Sequence, residues 1–479
     1  MVHDAHAPRD RTIAWTAWAL YTLVVAIGVA RGGMWLDEMQ VWCLARDHHS
    51  VHDLLHALRN EGHPPLWPLL VHGLTLVTHH PLVMGVLHGL FAVVTAWLIL
   101  FRAPWPILFR VLAVFGYFVL FEYAVIARNY GPGMCFLFIA LLAHDTERPW
   151  TTMLALMALT MTHYWGIVVA GAWAITGTFQ RGIDRAERVR LIAVLAVATC
   201  AFILAWPGDH LPYTPDVHRL SIATLPDEIG RMLGQLFLPF PDLARPRPWN
   251  TTWLNNTYPH INEMLGYFCL GLAIVCIRAE RGGLVFFLLV ILGTLAFPVL
   301  APFQGLRYYG PILLGLLAVL WMRPTLVSGI RRIVILALFA LQVPGALAMT
   351  WIGLRTPRST AEQVVDWYLE SRYKGLPIMV HPYQAAPAIS GYLDRSVFCP
   401  ATGSIVSYYS WTEPHYRLPP HELRRALVSS PYRNALLLAD DPGLMDLAND
   451  TLSIVRIRGA DQALIGSEEL CVFLVGTRR

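Results

Sequence analysis

Charge is scarce in this 479-residue chain: Asp, Glu, Lys and Arg make up 14% of it, where a soluble domain carries about 25%. Hydrophobic residues make up 56%. Lysine is nearly missing; Lys374 is the one instance, and the other strongly basic residues are Arg. That bias can reflect genome composition as much as chemistry. The net charge of +4 gives no footprint for nucleic acid, so no nucleic-acid partner is expected. No GxxxxGK[ST] loop is present to cradle a nucleotide, and no soluble nucleotide-sugar domain stands out. The seven cysteines (43, 135, 200, 269, 276, 399 and 471) form neither a CxxC pair nor a CxxCH haem attachment. Cys399 and Cys471 share a polar tail and could pair if it is extracytoplasmic; two free thiols are the alternative. Internal repeats and low-complexity segments are also lacking.

What fills the chain instead is apolar runs of about 17 to 22 residues, recurring up to residue 353. A bilayer core takes ~20 helical residues to cross. The fold class expected is a polytopic α-helical membrane protein with about eleven transmembrane helices. An outer-membrane barrel would show short alternating segments instead. The spans read as 12–30, 81–101, 107–126, 130–145, 150–163, 166–180, 189–206, 263–279, 283–301, 307–322 and 331–353. Residues 150–180 can also be read as one long helix. The first 30 residues have the basic start and apolar core of a signal sequence without a small-residue cleavage site, hence an uncleaved anchor. With the N-terminus inside, the connections around Arg9 to Arg11, Arg102 to Arg110, His144 to Arg148, Arg181 to Arg190, Arg278 to Arg281 and Arg323 to Arg332 fall on the cytoplasmic side. They are short and nearly all Arg-bearing, as the positive-inside rule requires. Segments 31–80, 127–129, 164–165, 207–262, 302–306 and the tail from 354 then face outward.

The first outer loop holds two amphipathic stretches, 38–60 and 65–80, suited to helices lying in the membrane interface. The loop 207–262 is rich in Pro and Trp and could cover the same face. In the tail the composition changes, with 26 Asp, Glu, Lys or Arg from residue 354 onward. "STAEQVVDWYLESRY" carries a helix start and period. "LPIMVHP", "NALLLAD", "LSIVRI" and "LCVFLVG" are short apolar runs suited to buried strands. The tail is therefore read as a small α/β domain, 354–479, on the outer side of a transmembrane domain, 1–353.

Ionisable groups at or inside the hydrocarbon are expensive and point to function. At the outer span ends stand Asp37, Glu38, Glu61, His63, Glu122, Arg128, Tyr130, His163, Tyr164, Gln304, Arg307 and Tyr308. Carboxylates beside arginines suggest a base and an anion clamp, and at that depth the anion is a lipid phosphate. Each piece also has a structural reading. Asp37 and Glu38 can cap a helix, Arg128 and Arg307 can snorkel, "HPPLW" can start a helix, and His163 can be a hydrogen-bonded core residue.

Together the motifs resemble the GT-C membrane glycosyltransferases that use polyprenyl-phosphate sugars, such as protein O-mannosyltransferases and the lipid A aminoarabinose transferase. "LDEMQVW" is similar to the family's acidic motif in the first outer loop, and "EGHPPLWPLLVHGL" to its His-Pro-Pro-Leu segment. "EYAVIARNYG" resembles its Ala-Arg-x-Tyr turn, "THYWG" a recurring Thr-His-Tyr, and "GLRYYGPILLGLL" the late Arg-Tyr. The resemblance covers roughly residues 12–353, and the tail is less recognisable. It implies sugar transfer to an extracytoplasmic glycolipid, polysaccharide or protein, in a bacterial inner membrane. Asp37 matches the family's proposed base.

On the chemistry of the residues, Asp37 takes the acceptor's proton, since a carboxylate with an ordinary pKa of about 4 is ionised at neutral pH. Glu38 points about 100° away on a helix and orients Asp37 or holds a sugar hydroxyl. Glu61 is a second candidate for the base or for substrate contact. Arg128, then Arg307, hold the leaving phosphate, aided by Tyr130, His163 and Tyr308. His63, Tyr164 and Gln304 line the substrate. No cofactor is expected beyond the lipid donor, a divalent metal is not obligatory, and direct displacement with inversion is favoured over a retaining route. Three other readings compete. His48, His52 and His56 at helical spacing, beside His49, could bind Zn. Histidines 72, 88, 144 and 163 raise a haem protein, although His144 and His163 fall at opposite faces. A proton-coupled transporter would place its charges nearer the midplane; a lipid-headgroup or acyl transferase is the remaining enzyme class.

Overall fold

The computed structural model describes residues 8–178, 182–206, 211, 221, 223–300, 305–412 and 417–477. The chain forms two units. One comprises Met1–Gly28, Glu61–Trp67 and Val86–Trp351; the other comprises Val29–Asn60, Pro68–Gly85 and Ile352–Arg479. The expected boundary near residue 353 is close to the last crossing point. The second unit, however, also takes most of the first outer loop, 31–60 and 68–80.

The chain is a polytopic helical membrane protein. Among the described residues, six helices are long and apolar enough to cross a bilayer: Pro8–Arg31, Leu82–Arg102, Arg185–Ala205, Pro259–Ile277, Arg281–Leu300 and Gly329–Gly353. The other expected spans are shorter or interrupted. Span 107–126 is a helix Ile107–Val114 followed by a π-helical turn Phe118–Glu122. Span 150–180 is two helices, Pro149–Thr160 and Tyr164–Thr178, not one. Thr160 and Thr162 turn their hydroxyls back onto the Met157 and Leu159 carbonyls at 2.7 Å, local bonds that compete with helix continuation. Gly166 then lets the next helix pass directly over the Leu159 carbonyl, where a Cβ would collide.

In the helical unit, the Pro- and Trp-rich connection 207–262 contains a helix of its own, Leu225–Phe237, packed on Pro259–Ile277. Gly230, Gly234 and Gly266 let the two backbones touch; a Cβ at Gly266 would strike the Gly234 nitrogen. Small residues at a helix crossing serve this purpose in membranes, where burial of apolar surface no longer drives association. Gln342 donates to the Leu236 and Phe237 carbonyls at 2.8 and 3.0 Å, satisfying groups that a helix end leaves open.

The second unit is built on a six-stranded sheet. Its strands are β1 (Ile378–His381), β2 (Val397–Cys399), β3 (Ser404–Val406), β4 (Asn434–Ala439), β5 (Leu452–Arg458) and β6 (Cys471–Thr477). The spatial order is β3-β2-β1-β4-β6-β5. β1 runs parallel to both β2 and β4, and the remaining pairs are antiparallel. Alternate residues feed two cores, as a pleat requires. Val380, Leu436 and Leu438 pack with helices Ala361–Glu370 and Ala386–Leu393. Met379, Leu437 and Phe473 pack with helix Pro420–Val428 on the other face. The four expected strands are present. β2 and β3, of three residues each, are too short to show a period. Cys399 and Cys471 are buried and form no disulfide with each other: one lies in β2, the other in β6.

Helix Leu36–Asp47 of this unit packs on Ala386–Leu393, with Met39 against Gly391. Gln40 exchanges hydrogen bonds with the Tyr409 backbone at 2.8 and 3.2 Å. The helix ends at Asp47 and the next, Val51–Ala57, begins after a Ser50 cap. The break removes His48 from the helix carrying His52 and His56, so the three imidazoles do not share one helix face. Among the described residues, no group of three His, Cys, Asp or Glu is placed to hold a metal.

Candidate active site

The residues expected to form the site fall in both units. Asp37 and Glu38 lie in the unit with the sheet. Glu61, His63, Arg128, Tyr130, His163, Tyr164, Arg307 and Tyr308 lie in the helical unit. Gln304 lies outside the described residues.

In the helical unit three chain breaks meet. The first is the turn at Thr162–His163 just described. The second precedes helix Tyr130–Asp145, where the Asn129 side chain donates to the Thr162 carbonyl at 2.9 Å. That bond ties the Arg128–Tyr130 corner to His163. The third is segment Glu61–Trp67, anchored by the Leu66 amide donating to the Met161 carbonyl at 3.0 Å. The Tyr130 and His163 rings are 4.4 Å apart, and His63 and His163 are 4.9 Å apart. Tyr123 stacks on Tyr130 at 4.9 Å, and its hydroxyl donates to the Arg307 carbonyl at 2.5 Å. The Arg307 guanidinium lies 5.3 Å from the Tyr308 ring centre. Tyr164 stacks on Phe297 at 4.4 Å, which in turn lies 6.1 Å from Tyr308. Glu61 is half-buried at the head of its segment.

The protonation pattern follows from the bonds. Arg128 Nη2 lies 3.1 Å from His63 Nε2. A guanidinium can only donate, so Nε2 accepts and the neutral ring carries its proton on Nδ1. Burial, reinforced by the Arg128 and Arg307 charges, lowers the His63 pKa to about 3; the ring is neutral at any physiological pH. His163 is fully buried, and its Nδ1 accepts from the Trp165 amide at 3.4 Å. Its proton then sits on Nε2. His63 Nδ1, His163 Nε2 and the Tyr164 hydroxyl are all sealed from solvent without a hydrogen-bond partner. Three hydrogen-bond donors thus stand beside two guanidiniums. Glu122, which the sequence also places near this face, has a structural setting: its Oε2 accepts from Trp249 Nε1 at 3.1 Å and from the Tyr117 hydroxyl at 3.4 Å.

In the sheet-bearing unit, Asp37 and Glu38 open helix Leu36–Asp47. Gly33 precedes them at φ +57, a left-handed conformation that favours glycine. Glu38 is fully buried. Its Oε2 accepts from the Trp35 amide and from Arg358 Nε, both at 3.2 Å. The capping role open to it in the sequence is thus the one it occupies. Asp37 is half-buried on the same first turn. Beneath it, Glu468 Oε1 accepts from the Leu36 amide at 3.1 Å. Burial, with the nearby Asp37 and Glu38 charges, raises the Glu468 carboxyl to about 7. Asn129, Arg358 and Glu468 carry no motif of their own. Asn129 alone had a signal: it lies inside "EYAVIARNYG".

No family model and no curated protein matches the sequence. Solved structures do. The crystal structure of ArnT from Cupriavidus metallidurans in the apo state superposes with a TM-score of 0.53 at 12% identity, over 96% of this chain and 98% of that one. The chain has the fold of ArnT. A second structure of ArnT from Cupriavidus metallidurans, bound to undecaprenyl phosphate, aligns with a TM-score of 0.46 at 14% identity, over 96% of this chain and 97% of that one. The likeness to apo ArnT runs through the helical part and the C-terminal domain alike. At 12% identity the ArnT fold leaves the chemistry to be argued from this chain's own residues.

Proposed function

We propose that this protein is a membrane glycosyltransferase that takes a sugar from a polyprenyl phosphate and attaches it to a hydroxyl of an acceptor. The acceptor is a glycolipid, a polysaccharide or a protein at the extracytoplasmic face of a bacterial plasma membrane. The observation that carries the reading is the donor cluster of the helical unit. Arg128 and Arg307 stand with His63 Nδ1–H, His163 Nε2–H and the Tyr164 hydroxyl, the last three without partners. Such a set suits an oxyanion. A phosphate ester gains negative charge as its sugar–oxygen bond breaks, and preorganised donors stabilise that charge most in the transition state. The ArnT-like fold agrees with this chemistry.

In the reaction proposed, the acceptor oxygen bonds to the anomeric carbon and its proton passes to Asp37. The bond from that carbon to the phosphate oxygen breaks, and the electron pair leaves with the phosphate. A single displacement, with no covalent enzyme intermediate, gives inversion. Arg128 and Arg307 hold the phosphate, while His63, His163, Tyr130 and Tyr308 orient it. The Tyr164 hydroxyl completes that set, and Glu61 is assigned to the sugar. Glu38 fixes the start of the helix that presents Asp37, and no part in the bond-making step is assigned to it. The fit needs no metal.

The test is consumption of radiolabelled polyprenyl-phosphate sugar by membranes containing the protein and an envelope extract as acceptor. Asp37→Asn should slow transfer by about 10²- to 10⁴-fold, and Arg128→Ala by about 10²- to 10³-fold, with normal expression. Full transfer by Asp37→Asn would end the assignment of the base.

A further inference from the structure

The sheet contains a second place suited to a ligand, remote in sequence from Asp37 and from the phosphate cluster. β1 pairs in parallel with β2 on one side and β4 on the other. Helix Ala386–Leu393 leads from β1 to β2 and packs on one face; the connection leaving β4 runs through the turn Pro442–Leu447, whose Leu444 and Leu447 pack on the other. The connections therefore diverge between β1 and β4. In open α/β sheets such a switch point leaves a crevice outside the carboxyl ends of the strands, where ligands bind.

The residues at the carboxyl ends of β1 and β4 are polar. His381 ends β1, level with Ala439 at the end of β4, and Asp440 follows directly. His381 is 2% exposed, and its Nδ1 has no hydrogen-bond partner. The Asp440 side chain is 7% exposed; one oxygen pairs with Arg417, and Oδ1 has no partner. Asp441 turns an oxygen back to the Gly443 amide at 2.8 Å. Arg417 and Asp441 both bear electrostatically on His381. Buried polar side-chain atoms in native proteins are hydrogen-bonded with few exceptions, and an exception calls for a water, an ion or a ligand.

The composition selects the ligand class. An anion would meet Asp440 and Asp441. A divalent cation would meet Arg417, and no group of three metal-binding side chains exists among the described residues. A sugar offers hydroxyls that both donate and accept. We propose that this crevice binds a sugar, one hydroxyl donating to Asp440 Oδ1 and others pairing with His381 Nδ1 and the Arg417 guanidinium. The proposal stands apart from the transferase reading, because sugar binding here needs neither Asp37 nor Arg128.

The experiment is saturation-transfer NMR on the full-length protein in detergent, offering D-mannose, D-galactose, N-acetyl-D-glucosamine and L-arabinose separately. At least one is expected to bind. Asp440→Asn should weaken that binding tenfold or more, with thermal unfolding confirming the fold, while Asp37→Asn and Arg128→Ala leave it unchanged. If Asp440→Asn does not fold, His381→Gln is read in the same assay with the same tenfold expectation. Binding of none of the four sugars, or binding that survives the substitution, overturns the proposal.

Discussion

His63 shows how one bond assigns a proton. Because Arg128 can only donate, the imidazole must accept at Nε2 and present its proton at Nδ1. Replacing His63 with Asn or Ala removes that donor and one contact of the Arg128 guanidinium. Donor binding should weaken by about tenfold or more, as loss of a charge-assisted hydrogen bond implies, measured as competition by polyprenyl phosphate. Asn129 works one step back, through its bond to the Thr162 carbonyl. Asn129→Ala is expected to cost about 1–3 kcal/mol of stability, read by thermal unfolding. Arg128, His163 and Arg307 were legible because charge and imidazole stand out in an apolar sequence. Asn129, Arg358 and Glu468 were not. Their meaning lies in partners at Thr162, Glu38 and Leu36, and Arg358 and Glu468 reach theirs over more than 300 residues.

Among the elements, the interruptions do the positioning. The break between Pro149–Thr160 and Tyr164–Thr178 places His163, and the start of Tyr130–Asp145 places Tyr130 beside it. Apolar periodicity could not decide whether 150–180 was one helix or two, since both halves are hydrophobic all round. The deciding features are the threonine back-bonds and the Gly166 contact with Leu159. The helix Leu225–Phe237 is hidden in a connection full of Pro and Trp, yet it packs closely through Gly230, Gly234 and Gly266. Gly266→Val should force the two backbones apart and destabilise the helical unit by about 1–3 kcal/mol, the usual cost of overpacking. Denaturation in detergent measures it, and Gly271→Val, which meets open space, serves as the neutral control.

For the whole molecule, pH acts on the two units with opposite sign. His63 has its pKa lowered from 6.5 to about 3, so its contribution to stability is complete above 6.5 and is lost as pH falls toward 3. Glu468 is raised from 4.5 to about 7; its contribution is complete below 4.5 and is lost as pH rises through 7. Glu468→Gln, which keeps an acceptor for the Leu36 amide, should therefore gain melting temperature over the parent as pH is raised from 5 to 8. An unchanged difference would contradict the burial of an ionising carboxylate there. The fold class and the C-terminal domain were legible in composition and apolar runs. The grouping of residues 31–60 and 68–80 with that domain was not, because an amphipathic helix reads the same whether its apolar face meets lipid or protein.

The most direct test of the lipid-phosphate site is native mass spectrometry of the purified protein after incubation with a polar-lipid extract. Retention of a polyprenyl-phosphate sugar, with loss of that adduct in Arg128→Ala, is the expected result. Retention of a water-soluble solute in its place, or an adduct indifferent to Arg128, would contradict the account.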